Sequence, residues 1–136
     1  MENREQGLRH RLRRIARQID DQHRHLQEFQ DTLRAATSAN LADAASSACG
    51  RYERALIAHF ELEETFFFPA LHGYAPSQEK TLIELQEAHG SLRNELAQLT
   101  ERITTRAEGV EEALERFLSH LRSHELIEVE LWERIK

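Results

Sequence analysis

Two histidine–glutamate pairs at a spacing of four residues carry most of the chemistry that this sequence can support. The first pair is His59 and Glu63 in the segment HFELEETFFFP, and the second is His124 and Glu128 in SHELIEVELW. Residues i and i+4 of a helix lie on one face, so each pair presents an imidazole and a carboxylate side by side. Imidazole and carboxylate without thiolate are ligands that suit iron, manganese or zinc.

Both pairs fall on helix faces that are expected to be buried. Apolar residues around them recur at intervals of three and four, as in a helix that packs one face against a core. An ionised carboxylate in such a core is costly unless a partner compensates its charge. We therefore predict that a pair of metal ions compensates Glu63 and Glu128 together, with histidines as terminal ligands and the two carboxylates as bridges.

Two further histidines occupy equivalent positions. His23 lies four residues after Ile19 and three before Leu26, and His89 interrupts the apolar stripe of the third segment. Residues at equal height in an antiparallel bundle are equidistant from the turn that joins their helices. The midpoints between successive stripe histidines fall at 41, at 74, and between 106 and 107, on or beside a turn signal each time. Four histidines are therefore expected in one layer, although any one alone is more simply a hydrogen-bonded core residue.

Four amphipathic segments must position these residues. Their apolar stripes run from Leu8 to Leu33, from Leu41 through Phe66 and Phe67, from Leu82 to Ile103, and from Val110 to Ile135. Ser38 or Asn40 is predicted to cap the second helix, which is expected to end between Pro69 and Pro76. No β-type alternation appears in the sequence. The predicted fold class is all-α: an up-down-up-down antiparallel four-helix bundle that forms a single domain over residues 1–136.

The composition excludes several functional classes. A formal net charge of −6 over 136 residues argues against nucleic acid or an anionic membrane as the partner. The basic stretch RHRLRRIAR (9–17) is interrupted at helical spacing and is interpreted as a solvated helix face. The single cysteine excludes a disulfide framework and a CxxC metal site. No signal peptide or bilayer-spanning apolar run is visible, so we expect a cytoplasmic protein.

Four segments resemble motifs of the hemerythrin-like (HHE cation-binding) domain family and together extend over nearly the whole chain. They are IDDQHRHL (19–26), HFELEETFFFP (59–69), EAHGSL (87–92) and SHELIEVELW (123–132). The first of these matches selects His23 over His25 as the ligand. The resemblance implies a non-haem site with two iron ions bridged by Glu63 and Glu128. It implies four terminal ligands, which are His23, His59, His89 and His124.

The chain departs from the oxygen-carrying hemerythrins at the third and fourth helices. Those proteins have two histidines one turn apart on the third helix, whereas Leu85 and Arg93 flank His89 at that spacing. They close with HxxxxD, and this chain closes with HxxxE. His120, one turn before His124, is the candidate for a fifth histidine ligand. The alternative for His120 is a boundary histidine hydrogen-bonded to a backbone carbonyl or to solvent. Glu64 is expected to face solvent.

The resemblance and the ligand chemistry favour a di-iron protein that binds or senses dioxygen, or a related small molecule such as nitric oxide. The alternative is a di-iron oxidase or peroxidase, or an iron-handling protein that relieves oxidative or nitrosative stress. A third hypothesis is a metal-free interaction bundle with structural histidines. The sequence leaves open whether the protein is an enzyme, and it indicates neither a redox partner nor a signalling partner.

Overall fold

The computed structural model describes the backbone of residues 2–136 and the side chains from residue 4 onward. Within these residues the chain is helical and contains no β-strand. The elements are α1 (Glu2–Ser38), α2 (Ala42–Leu62), a π-helical turn (Glu63–Phe67), α3 (Phe68–Tyr74), a 3-10 turn (Pro76–Gln78), α4 (Glu79–Thr104) and α5 (Val110–Ile135). Because α2, the π-helical turn and α3 follow one another without a break, the chain forms four helical rods. The predicted all-α four-helix bundle is confirmed.

The rods pack in a closed ring, α1 against α2, α2 against α4, α4 against α5, and α5 back against α1. Two apolar clusters fill the interior. One is built around Leu33, Leu96 and Phe117, and the other around Leu12, Leu71 and Leu85. Helix spacing of three, four and seven places these side chains inward. Over residues 2–136, no helix has both the length and the apolar character needed to cross a bilayer.

Asn40 ends α1 and does not cap α2. Its φ of 60° is left-handed, and the N–H of Leu41 donates to the carbonyl of Ala36 at 3.0 Å, which closes the last turn of α1. Asparagine tolerates this conformation better than most residues, so the chain reverses here. In the described residues no side chain caps α2. The predicted capping role of Ser38 or Asn40 is therefore wrong, and Leu41, predicted on the buried stripe, is 56% exposed.

The π-helical turn moves the buried face of the second rod by one residue. The N–H of Phe68 donates to the carbonyl of Glu63, five residues back instead of four. As a result Phe67 is buried at 4% exposure, whereas Phe66 is 57% exposed. The prediction that Phe66 continues the buried stripe was wrong because it assumed a regular helical period. Pro69, which lacks an N–H, is the second residue of α3, and the helix continues past it.

Paired alanine substitutions at Phe66 and Phe67 measure this change of register. Phe67→Ala should lower the free energy of unfolding by about 3–5 kcal/mol, since it empties a space in the core. Phe66→Ala should change it by only about 0.5 kcal/mol, as is usual for an exposed side chain. Urea unfolding of both variants followed by circular dichroism gives the two values. If the helix were regular, Phe66→Ala would lower the free energy of unfolding more than Phe67→Ala.

Candidate metal centre

The structure brings six of the seven predicted site residues into one polar layer between the two apolar clusters. They are His23 on α1, His59 on α2, Glu63 at the start of the π-helical turn, His89 on α4, and His124 and Glu128 on α5. Each rod contributes at least one side chain, as the midpoint argument predicted from the turn positions. All but His23, which is half-buried, are buried.

The two carboxylates lie between the histidines. Glu63 Oε1 is 3.4 Å from His59 Nε2 and 3.2 Å from His89 Nε2. Glu128 Oε1 is 2.6 Å from His124 Nε2 and 3.7 Å from His89 Nε2. Potential ligand atoms form two sets, and within each set all of the atoms lie within 4.8 Å of one another. The first set comes from Glu63, His89, His124 and Glu128, and the second from His23, His59 and Glu128. Each carboxylate is therefore close to histidines of both sets.

Several of these atoms come close to one another without forming hydrogen bonds. His124 Nε2 and Glu128 Oε1 are separated by 2.6 Å, yet neither has a hydrogen-bond partner among the described residues. The same holds for both carboxylate oxygens of Glu63 and for His89 Nε2, and both residues are 0% exposed. Buried polar atoms are nearly always hydrogen-bonded. Nitrogen and oxygen atoms that converge in this way fit a bound cation, which accepts electron pairs from all of them.

Burial governs the protonation of the layer in the absence of a cation. It raises the pKa of Glu63 well above its usual value, and the neighbouring Glu128 carboxylate adds to the shift. Burial also opposes ionisation of Glu128, but the protonated carboxyl group of Glu63 and the imidazole of His124 stabilise the Glu128 carboxylate and bring its pKa below the usual range. Burial, with repulsion from His23, lowers the pKa of His59 to about 3. Glu63 is therefore favoured in its protonated form and Glu128 in its ionised form, and His59 is a neutral imidazole whose Nε2 lies 3.1 Å from His23 Nε2.

An ion pair between Glu64 and Arg93 lies next to His89, on the side of the imidazole that faces away from the layer. His89 Nδ1 lies 3.3 Å from Glu64 Oε1, and Arg93 donates two hydrogen bonds of 2.7 and 2.8 Å to the Glu64 carboxylate. These bonds are the main reason that the pKa of Glu64 is lowered. The Phe60 ring stacks on His89 with centroids 4.0 Å apart, and the Arg93 guanidinium lies 5.4 Å from the Phe60 centroid. An Nδ1–H that donates to Glu64 leaves Nε2 free to face the layer.

Two of these supporting residues were missed from the sequence. Glu64 was expected to face solvent, but its side chain is only 21% exposed and lies between His89 and Arg93. Gln22 was not considered, although its Oε1 lies 2.7 Å from His59 Nδ1. The available signals were weak, because each residue merely adjoins a predicted ligand in the chain.

His120 does not join the layer, which corrects the prediction of a fifth histidine. Its Nδ1 lies 2.9 Å from Glu95 Oε2 at the surface, and its side chain is 62% exposed. The buried face of α5 passes through Leu121, and His120, the residue before it, points about 100° away because successive residues of a helix are rotated by that angle. His25 is also outside the layer, with 75% of its side chain exposed, as its spacing predicted.

A family model described as the hemerythrin HHE cation binding domain matches residues 14–132 of the chain. The match covers most of the sequence and includes all six side chains of the polar layer as well as Gln22, Glu64 and Arg93. Comparisons with curated proteins and with solved structures found no match. The family match and the converging ligand atoms together indicate that the layer is a cation-binding site.

A metal that binds this layer should stabilise the fold. Mn²⁺ at about 100 times its dissociation constant should add about 2.7 kcal/mol to the free energy of unfolding. The melting temperature should then rise on the order of 10 °C. Glu128→Gln should lose most of this rise, since it removes the charge between the histidines. Calorimetry with and without metal measures the effect.

His120→Gln is the matched control, because it removes a histidine from the same helix outside the layer. It should keep the full metal-dependent rise. Loss of the rise in this variant, or its survival in Glu128→Gln, would contradict the placement of the site.

Proposed function

Because the chain belongs to the hemerythrin HHE cation-binding domain family, we propose that its polar layer holds two non-haem iron ions and binds dioxygen or a related small molecule such as nitric oxide. The observation that carries this proposal is the position of two buried carboxylates between two groups of histidines. One carboxylate with one group would suit a single ion. Two shared carboxylates suit two ions whose charges they neutralise together.

The converging ligand atoms form two unequal groups, which are Glu63, His89, His124 and Glu128 on one side and His23, His59 and Glu128 on the other. Glu63 Oε1 also lies 3.4 Å from His59 Nε2, which supports its assignment as a second bridge. His23 and His59 are proposed as terminal ligands of one ion, His89 and His124 as terminal ligands of the other, and Glu63 and Glu128 as bridges. An iron pair held by these residues would supply electrons to a diatomic ligand, or accept them back, and the surrounding side chains would set its reduction potential. Manganese or zinc would fit the same nitrogen and oxygen atoms, so metal analysis must accompany any functional assay.

The side chains around the layer favour a small ligand. Phe60 stacks on His89 at 4.0 Å, and the Phe68 ring lies 5.4 Å from the same imidazole. Apolar clusters close the layer from both ends of the bundle. His23 on α1 is the one half-buried member of the layer, and the other five side chains are buried. Such surroundings limit water and suit a neutral diatomic molecule better than an organic substrate.

A second candidate function has an observation of its own. The layer holds four histidines, because His120 points to the surface and Arg93 occupies the position one turn after His89. Fewer terminal ligands leave more coordination positions open to an exogenous molecule. This favours a di-iron oxidase or peroxidase, or an iron-handling stress protein, over a carrier that holds oxygen reversibly.

Anaerobic purification without a histidine tag, followed by metal analysis and absorption spectroscopy, tests the proposal. We expect about two iron ions per chain, and an absorption band that forms on exposure to oxygen. A band that disappears on deoxygenation supports reversible binding or sensing. A single irreversible oxidation, together with turnover of peroxide, supports the second candidate.

The double variant Glu63→Gln/Glu128→Gln should lose both iron and the band, because the bridging charges are removed without a change in volume. His120→Gln should retain both. A wild-type protein that contains no metal, and that gains no stability from added iron, would refute the di-iron proposal and favour a metal-free bundle.

A further inference from the structure

The two halves of the polar layer differ in the group that faces the Nδ1 atom of a histidine, on the side of the ring away from the layer. His59 Nδ1 faces the amide oxygen of Gln22 at 2.7 Å, which is a neutral acceptor. His89 Nδ1 faces a carboxylate oxygen of Glu64 at 3.3 Å, which is a charged acceptor. Each half contains two histidines, but the outer partner of His59 is neutral and the outer partner of His89 is charged.

We propose that Glu64, held in place by Arg93, is a positioning residue that makes the two metal positions inequivalent. The ion bound by His89 is then easier to oxidise than the ion bound by His59. This inference rests on the proposed di-iron function, and it adds the order in which the two positions change oxidation state.

The direction follows from the charge of the acceptor. A carboxylate attracts the Nδ1 proton of an imidazole more strongly than an amide oxygen does, and this makes Nε2 a better electron donor. A better donor stabilises the higher oxidation state of the ion that it binds. The position at His89 should therefore have the lower reduction potential of the two.

Arg93 fixes the carboxylate in the orientation that this requires. Its two hydrogen bonds to Glu64, of 2.7 and 2.8 Å, use both carboxylate oxygens. The same guanidinium lies over the ring of Phe60, which in turn stacks on His89. One side chain thus restrains both the acceptor of the His89 proton and the surface against which the imidazole lies.

Zinc-loaded protein tests the positioning role without any redox chemistry. Glu64→Gln should weaken zinc binding roughly 10- to 100-fold, the usual effect of removing a ligand's outer partner. It should also shift the Nδ1 proton resonance of His89 in the NMR spectrum. Glu95→Gln is the matched control, because it breaks a carboxylate–imidazole pair with His120 at the surface. The control should change neither the zinc affinity nor the Nδ1 proton resonance of His89.

Iron-loaded protein tests the inequivalence. Glu64→Gln should raise the reduction potential of the ion at His89 and leave the other nearly unchanged. Gln22→Glu should lower the reduction potential of the ion at His59. Because the ion at His89 has the lower potential in the wild-type protein, each variant should reduce the difference between the two reduction potentials. The double variant should reverse their order. Spectroelectrochemical titration under argon gives the potentials.

The proposal is overturned if Glu64→Gln matches Glu95→Gln in zinc affinity and in both potentials, or if the two potentials always move together. Should Glu64→Gln fail to fold, Gln22→Glu alone decides, since it must narrow the difference between the potentials. If Glu64→Gln weakens zinc binding but the wild-type protein takes up no iron, the proposed function is refuted and the positioning role of Glu64 stands.

Discussion

The fold is organised around two carboxylates that bulk water does not reach. Glu63 is 0% exposed and Glu128 5%, and their nearest neighbours are imidazole nitrogens. Two ionised glutamates in such surroundings repel each other and lose their hydration, which a bundle of this size could not offset by packing alone. Protonation of Glu63 reduces the penalty, and binding cations removes more of it. The bundle therefore requires either protons or metal ions in its centre, and these two occupants compete.

The π-helical turn Glu63–Phe67 is where the backbone adapts to the site. It starts at the residue whose carboxylate points into the layer, and the next residue, Glu64, supports His89 from outside. Two consecutive glutamates thus act on the same imidazole from opposite sides. Single π-turns inside α-helices are uncommon and often occur at functional sites. In this chain Pro69, which cannot donate a backbone hydrogen bond, is the second residue after the turn and makes a regular helix less favourable there.

The sequence was sufficient to predict the bundle and six of the layer's side chains, because both depend on local periodicity and on the position of turns. His23, His59 and His89 could be aligned in height without knowledge of any contact. The errors arose where the structure departs from regular helical periodicity or depends on contacts between different rods. Phe66 was misplaced because a period of 3.6 does not anticipate a π-turn, and Glu64 and Gln22 were missed because their partners lie on other rods. The single-domain extent and the cytoplasmic location rest on composition and stay predictions.

The contrast between inner and outer residues bears on how such a site can be tuned. A change among the six inner side chains alters charge or ligand count in a dry core, so it changes both the stability of the fold and the binding of metal. Gln22 and Glu64 lie nearer the surface, where a neutral or a charged acceptor can replace the other with little change in volume. Each touches the ring nitrogen that faces away from the layer. Substitution at these two positions can therefore change the electron donation of one imidazole while the bundle and the ligand set stay the same.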